Sequence, residues 1–206
     1  MKAVLASVKP KPCYNIANLL KTLELRKNEP NLKVPFKVYI YCTKGKDNLY
    51  NVDNRIVLNN YKVTFDTNGN ALETIYQLNG TVIGEFVCDK IYYLDADSVG
   101  FVVKKNGKYV YLSECAELNT CVSEKEMRKY FGIYRGFAWH ISNLIIYNKP
   151  KELREFTKYN RHCEFDYMPF ARPDDCSHCV GCKLEKPPQS WCYVEELPEK
   201  ETYSAF

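Results

Sequence analysis

Lys21-Thr22-Leu23-Glu24-Leu25-Arg26 reads as a short strand with charge on one face and leucine on the other. Side chains alternate along a strand, so Thr22, Glu24 and Arg26 share one face and Leu23 and Leu25 the opposite one. A lysine, a carboxylate and a guanidinium this close can bind a polar ligand or activate a nucleophile. A surface ion-pair ladder would have the same spacing, so the flanking segments must decide between the two.

Upstream, residues 3–8 alternate weakly and read as a strand, which Lys9-Pro10-Lys11-Pro12 ends. Pro12 suits a first helical turn, and apolar residues at 16, 17, 19 and 20 predict a short helix over 14–20. Downstream, 36–42 reads as a strand with Val38, Ile40 and Cys42 on one face. Residues 51–78 read as an inserted hairpin or meander turning at Asn68-Gly69-Asn70, and Asn79-Gly80 marks another turn. Residues 81–94 are rich in strand formers. Asn106-Gly107 joins 101–103 to 109–112 as a hairpin, and Ser123-Glu124-Lys125-Glu126 is a capping box opening a helix that Gly132 ends. Residues 137–147 and 191–194 read as strands, with a loop or short helix from Pro150 to 156. The pattern predicts a β-rich α+β domain, a small barrel with two or three short helices.

Near the end of the chain Cys163, Cys176, Cys179 and Cys182 are spaced C-x12-C-x2-C-x2-C. Zinc takes four such thiolates tetrahedrally, and a site filled by four of them is structural. His162 and His178 are the alternative donors. Redox catalysis fits less well, because a dithiol motif would open a helix, whereas Pro and Asp surround this one. The other six of the ten cysteines, Cys13, Cys42, Cys88, Cys115, Cys121 and Cys192, read as reduced, small hydrophobic residues.

Leu19 to Arg26 resembles the signature of the ASCH family, G-x-K-x-x-E-x-R, in which Lys21, Glu24 and Arg26 fall at the family's spacing and Leu19 replaces the glycine. Ser7-Val8-Lys9-Pro10, Val82-Ile83-Gly84-Glu85-Phe86-Val87, Trp139-His140-Ile141-Ser142-Asn143-Leu144 and Pro187-Pro188-Gln189-Ser190-Trp191-Cys192-Tyr193-Val194 are similar to further blocks of a bacterial and phage subgroup. The resemblance implies a PUA-like β-barrel formed by 1–156 and 187–206. A β insertion over about 47–78 and a cysteine-rich zinc loop over 157–186 would be added to it.

The resemblance also implies a protein that binds RNA or a nucleotide in a charged cleft. Its alternative is an enzyme on a modified nucleoside, like the relatives that hydrolyse acetylcytidine, or a ribonuclease. Lys21 matches the hydrolase's lysine, Glu24 stands where that enzyme has threonine, and Glu85 is the candidate for its distant glutamate. On this reading Lys21, Glu24 and Glu85 do the chemistry. Lys9, Thr22, Arg26, Trp139, His140, Ser142 and Tyr193 bind the ligand, with Trp191 a further stacking candidate. A protein-interaction role through the cysteine loop is the third reading.

Composition bounds these readings. At 206 residues, 46% apolar and 26% charged, the chain is long enough to bury its own core. The 17 tyrosines serve cores and base-stacking surfaces alike. The net charge of +4 is uneven: residues 1–50 hold ten basic and three acidic residues, and 164–206 hold four and nine. The basic end suits phosphate, although a solvated lysine-rich face fits as well. No apolar run approaches the roughly 18 residues of a membrane span, and the N-terminal apolar stretch is short for a signal peptide. A cytoplasmic protein is the expectation.

Overall fold

A computed structural model describes residues 1–59, 61, 65, 67, 71–105, 107–132, 135–159 and 183–198. Five strands, β1 (Lys2–Val8), β3 (Phe36–Cys42), β7 (Val82–Cys88), β12 (Ser142–Lys151) and β13 (Trp191–Glu195), form a first sheet in the order β12-β7-β3-β1-β13. Five others, β2 (Leu23–Arg26), β8 (Ile91–Ala96), β9 (Phe101–Lys105), β10 (Lys108–Tyr111) and β11 (Arg135–His140), form a second in the order β10-β9-β8-β11-β2. β4 (Leu49–Val52), β5 (Arg55–Leu58) and β6 (Ile75–Gln77) make a small third sheet inside the expected insertion. The helices are α1 (Pro10–Ala17) and α2 (Glu124–Phe131). β1 and β3 are parallel, and the crossover that a parallel pair requires carries α1 and β2.

The sheets pass into each other at two corners. β7 runs into β8 through Asp89-Lys90, and β11 into β12 through Ile141. The corners are tied by backbone bonds from His140 N to Lys90 O (2.8 Å) and from Ile141 N to Thr22 O (2.9 Å). The expected strand over 137–147 is therefore two strands in two sheets. Three apolar clusters follow. The first fills the space between the large sheets under α1, from Val4, Ala6, Val38, Ile40, Phe86 and Trp139 among others. The second lies between the second sheet and α2, with Leu23, Leu25, Leu94, Val103 and Phe131. The third covers the outer face of the first sheet, where Tyr39 and Tyr41 meet Leu153, Phe156 and Leu184.

Several local expectations hold. Ser123 and Glu126 close the capping box of α2. Gly107 turns the β9–β10 hairpin at φ +82°. The predicted helix is shifted N-terminally, because Pro10 and Pro12 occupy a first turn where a missing N–H costs nothing, and Leu19 at φ +59° ends it. In the insertion the tight turn is Asp53-Asn54, both at positive φ, while 68–70 lie outside the described residues.

The expected closed barrel is not seen among the described strands. β2 ends one sheet and β13 the other. What joins them is a side chain: Arg26 donates from Nη1 to Ser190 O (2.8 Å) and from Nη2 to Ser7 O (3.1 Å). No helix among the described residues is long and apolar enough to cross a membrane.

Candidate functional site: a buried ionic cluster on the second sheet

Glu24 lies opposite Trp139 and Arg26 opposite Phe137 in the β2–β11 ladder. Directly paired residues share a face, so both charged side chains point into the space between the sheets, while Leu23 and Leu25 enter the core beneath α2. Lys21 arrives from the other side. Beyond Leu19 the backbone N–H groups of Leu20 and Lys21 both donate to Asn15 O (2.8 and 3.1 Å). That wraps the end of α1 and aims Lys21 inward. Glu24 then bridges two cations, with Oε1 2.9 Å from Arg26 Nη2 and Oε2 3.6 Å from Lys21 Nζ.

This is a buried cluster rather than an open cleft: Lys21, Glu24 and Arg26 are 3%, 7% and 3% exposed. Charges withdrawn from water persist only when paired and hydrogen-bonded. Lys21 Nζ donates to Thr120 O (2.7 Å), and Arg26 adds its bonds to Ser7 and Ser190. Burial still lowers the Lys21 pKa below the ordinary lysine value, with Glu24 opposing the shift. The Tyr130 hydroxyl is near enough to feel both Arg26 and Glu24.

Leu19 stands where the family signature has glycine, and its left-handed φ of +59° is the conformation a glycine accepts without cost. Its side chain is 75% exposed and contributes little packing. Leu19→Gly should therefore stabilise the fold by about 1 kcal/mol, read as a higher urea midpoint at unchanged slope. An unchanged or lower midpoint would contradict this account of the turn.

The lid over Lys21 comes from residues about a hundred positions away. Thr22 Oγ1 donates to Glu117 O (2.8 Å) and accepts from Asn119 N (2.8 Å), and Cys121 Sγ donates to Leu20 O (3.1 Å). Thr22 thus anchors this segment instead of facing a ligand. On its far side a cavity of about 290 Å³ is lined by Phe101, Leu112, Leu118, Thr120 and Met127, and none of the expected site residues reaches it.

The other expected residues scatter. Glu85 lies opposite Tyr39 on β3, on the outer face of the first sheet. There it meets Lys37 Nζ (3.0 Å) and accepts from the Tyr147 hydroxyl. Lys37 also holds Glu196 (3.1 Å), and these carboxylates keep its pKa raised against its own burial. The structure therefore does not bring Glu85 to Lys21. Trp139 is fully buried, edge-on to Phe36 and Trp191. It is a core residue and presents no stacking surface. Lys9 is exposed at the start of α1. Tyr193 accepts from Asn31 N (2.7 Å) and lies under Lys2 Nζ, 3.5 Å from the ring centre.

His140 faces away from Trp139, as alternation requires, and its Nδ1 is 2.7 Å from Asp89 Oδ1. Ser142 donates to Val87 O (2.8 Å) beside them. Burial pushes the Asp89 carboxyl up, but the His140 hydrogen bond and charge outweigh this and hold it low. Asp89, Thr120 and Tyr130 belong to no motif, and only the strand pairing and loop path bring them in. Cys163, Cys176, Cys179 and Cys182, with His162 and His178, lie outside the described residues. Among the described residues no three His, Cys, Asp or Glu are placed to hold a metal. The remaining six cysteines are free thiols, four of them buried and Cys121 and Cys192 half-buried.

No family model matches the sequence, and no curated protein does. Solved structures do match. A Tyr-to-Phe variant of an ASCH protein from Zymomonas mobilis superposes with a TM-score of 0.50 at 15% identity, over 95% of this chain and 92% of that one. A Ser-to-Ala variant of the same protein gives 0.50 at 15% identity, over 94% and 89%. The likeness spans nearly the full length of both chains, and the fold of this protein is the ASCH fold.

Proposed function

We propose that the protein binds RNA or a nucleotide, with the Lys21, Glu24 and Arg26 cluster at the inner end of its ligand site. The observation that carries this is the burial of Lys21 at a lowered pKa beneath a lid that makes one direct bond to it. Burying a lysine carries a desolvation cost that its partners must offset, and a buried, ion-paired group with a shifted pKa is a candidate for chemistry. A ligand carbonyl or phosphate oxygen would take the place of Thr120 O on Lys21 Nζ.

The test is binding of a labelled single-stranded RNA as salt is raised. Affinity should fall along a straight line in log–log form, since phosphate contacts release counterions. Lys21→Met should weaken it on the order of tenfold, the loss of one charge-assisted hydrogen bond. Unchanged affinity in that variant sinks the site assignment.

A second reading, hydrolysis of a modified nucleoside such as acetylcytidine, is favoured by the same lowered pKa. Burial makes Lys21 give up its proton more readily than an ordinary lysine, and once neutral it can take one from water. Turnover would then rise with pH through the Lys21 pKa and vanish in Lys21→Met. Glu85, bound on the far face of the first sheet, would leave turnover unaffected when replaced by Gln.

The cysteine cluster supports a third element of the reading, a structural zinc on Cys163, Cys176, Cys179 and Cys182. Its support is the donor chemistry: four thiols, three of them in two overlapping C-x2-C steps and Cys163 separated from the first of these by twelve residues. Purified protein should hold a single zinc by elemental analysis. Chelation should expose 157–190 to protease while the sheets keep their circular dichroism. Metal-free protein with all ten thiols reactive would refute it.

A further inference from the structure

The outer half of the second sheet carries a row of side chains that the function above leaves unused. In the β10–β9 ladder Tyr109 faces Lys104. In the β9–β8 ladder Val103 faces Leu94, which sets Lys104 beside Tyr93 one step on. Tyr93 faces Phe137 on β11, and Phe137 faces Arg26 on β2. Tyr109, Lys104, Tyr93, Phe137 and Arg26 thus form one straight row across five strands and share one face. At about 4.8 Å per strand the row spans roughly 19 Å.

Exposure grades along it. Tyr109 is 72% and Tyr93 47% exposed, whereas Arg26 is buried. The rings are braced as well: Lys104 Nζ lies 6.0 Å from the Tyr109 centre, and Tyr93 packs edge-on to Phe137 at 5.7 Å. The neighbouring charges are Arg135 and Asp95, 3.9 Å apart and mutually compensating. The face is therefore aromatic with a net positive charge, and it leads to the ionic cluster.

We propose that this row is a track for single-stranded RNA, with bases on Tyr109 and Tyr93, phosphate on Lys104, and the strand directed toward Arg26 and Lys21. This deepens the RNA reading and rests on it. Exposed rings at strand spacing suit unpaired bases, which have free π-faces, whereas a duplex conceals them. Lys104 between the exposed rings of Tyr109 and Tyr93 matches a phosphate between two bases, a complementarity that a purely apolar partner would not need.

The experiment is fluorescence anisotropy with a labelled single-stranded RNA, comparing wild type with Tyr109→Ala, Tyr109→Phe, Tyr93→Leu and Lys104→Ala. Leu at 93 keeps apolar contact with Phe137, so that variant folds. The alanine and leucine variants should each weaken binding on the order of tenfold, the size of one lost base stack, and Tyr109→Phe should retain affinity. Lys104→Ala should reduce the salt slope by about one phosphate contact, and duplex RNA should compete poorly. If wild type binds but the tyrosine variants bind equally well, or duplex competes fully, the track is wrong and the RNA reading survives. If wild type binds no RNA, the reading fails and the track fails with it.

Discussion

Glu24→Ala should cost about 3–5 kcal/mol of folding stability, the penalty for breaking a buried ion pair from one side. Against a typical total of about 5–15 kcal/mol that is a large fraction. Among the described residues Glu24 is the anionic partner of both Lys21 and Arg26, and removing it leaves two buried cations facing each other. The variant should also show its own pH dependence. The Lys21 pKa is already lowered by burial, with Glu24 opposing, so without Glu24 it falls further. Between that value and the ordinary lysine value of about 10.4, the unfolded chain holds more protons than the folded one, so stability rises with pH. Glu24→Ala should thus recover part of its loss as pH rises from 7 toward 10. Urea unfolding at several pH values measures both effects. A loss under about 1 kcal/mol, typical of an exposed pair, would mean that water reaches the cluster.

Gly84→Ala should be nearly as damaging, by overpacking. A methyl at Gly84 would stand 2.3 Å from Ile145 O and 3.1 Å from Ile146 Cα. Both are backbone atoms of β12, so no rotamer change relieves the clash. β12 must move off β7 where Ile146 faces Gly84 and Ile145 faces Glu85, disturbing the Tyr147 to Glu85 bond. The expected loss is about 3 kcal/mol, the upper part of the overpacking range. Gly107→Ala is the comparison: among the described residues nothing lies within 4 Å of its added methyl, and its φ of +82° is the unfavourable feature, so about 1 kcal/mol is expected. Thermal melts of the two variants should separate clearly, and equal melts would contradict the close β7–β12 approach.

Much of this was legible in the chain. The alternation Leu23, Glu24, Leu25, Arg26 gave the two faces of β2, the proline pair gave the start of α1, and the Ser123 capping box gave α2. These signals are local, and the local chemistry survives in the fold. What escaped depends on long-range pairing. Residues 137–147 are apolar except for His140, Ser142 and Asn143, and that polar break around Ile141 does not by itself say that one strand becomes two in different sheets. Glu85 beside a glycine on a strand looked like a partner for Lys21, but its face is set by register with Tyr39. Trp139 looked available for stacking, and only its position opposite Glu24, inside the core, removes it. The lid bond from Thr120 joins residues 99 apart in sequence, and the Tyr109 to Arg26 row exists only when four ladders are read together.

Photocrosslinking tests the central claim most directly. A single-stranded RNA carrying 4-thiouridine is irradiated in complex with the intact protein, and the adducts are mapped by mass spectrometry. The account predicts crosslinks on peptides holding Tyr93, Tyr109 and Phe137, with the far end of the RNA reaching the peptide of Lys21 and Arg26. Crosslinks confined to the outer face of the first sheet, around Lys37 and Tyr147, would contradict it.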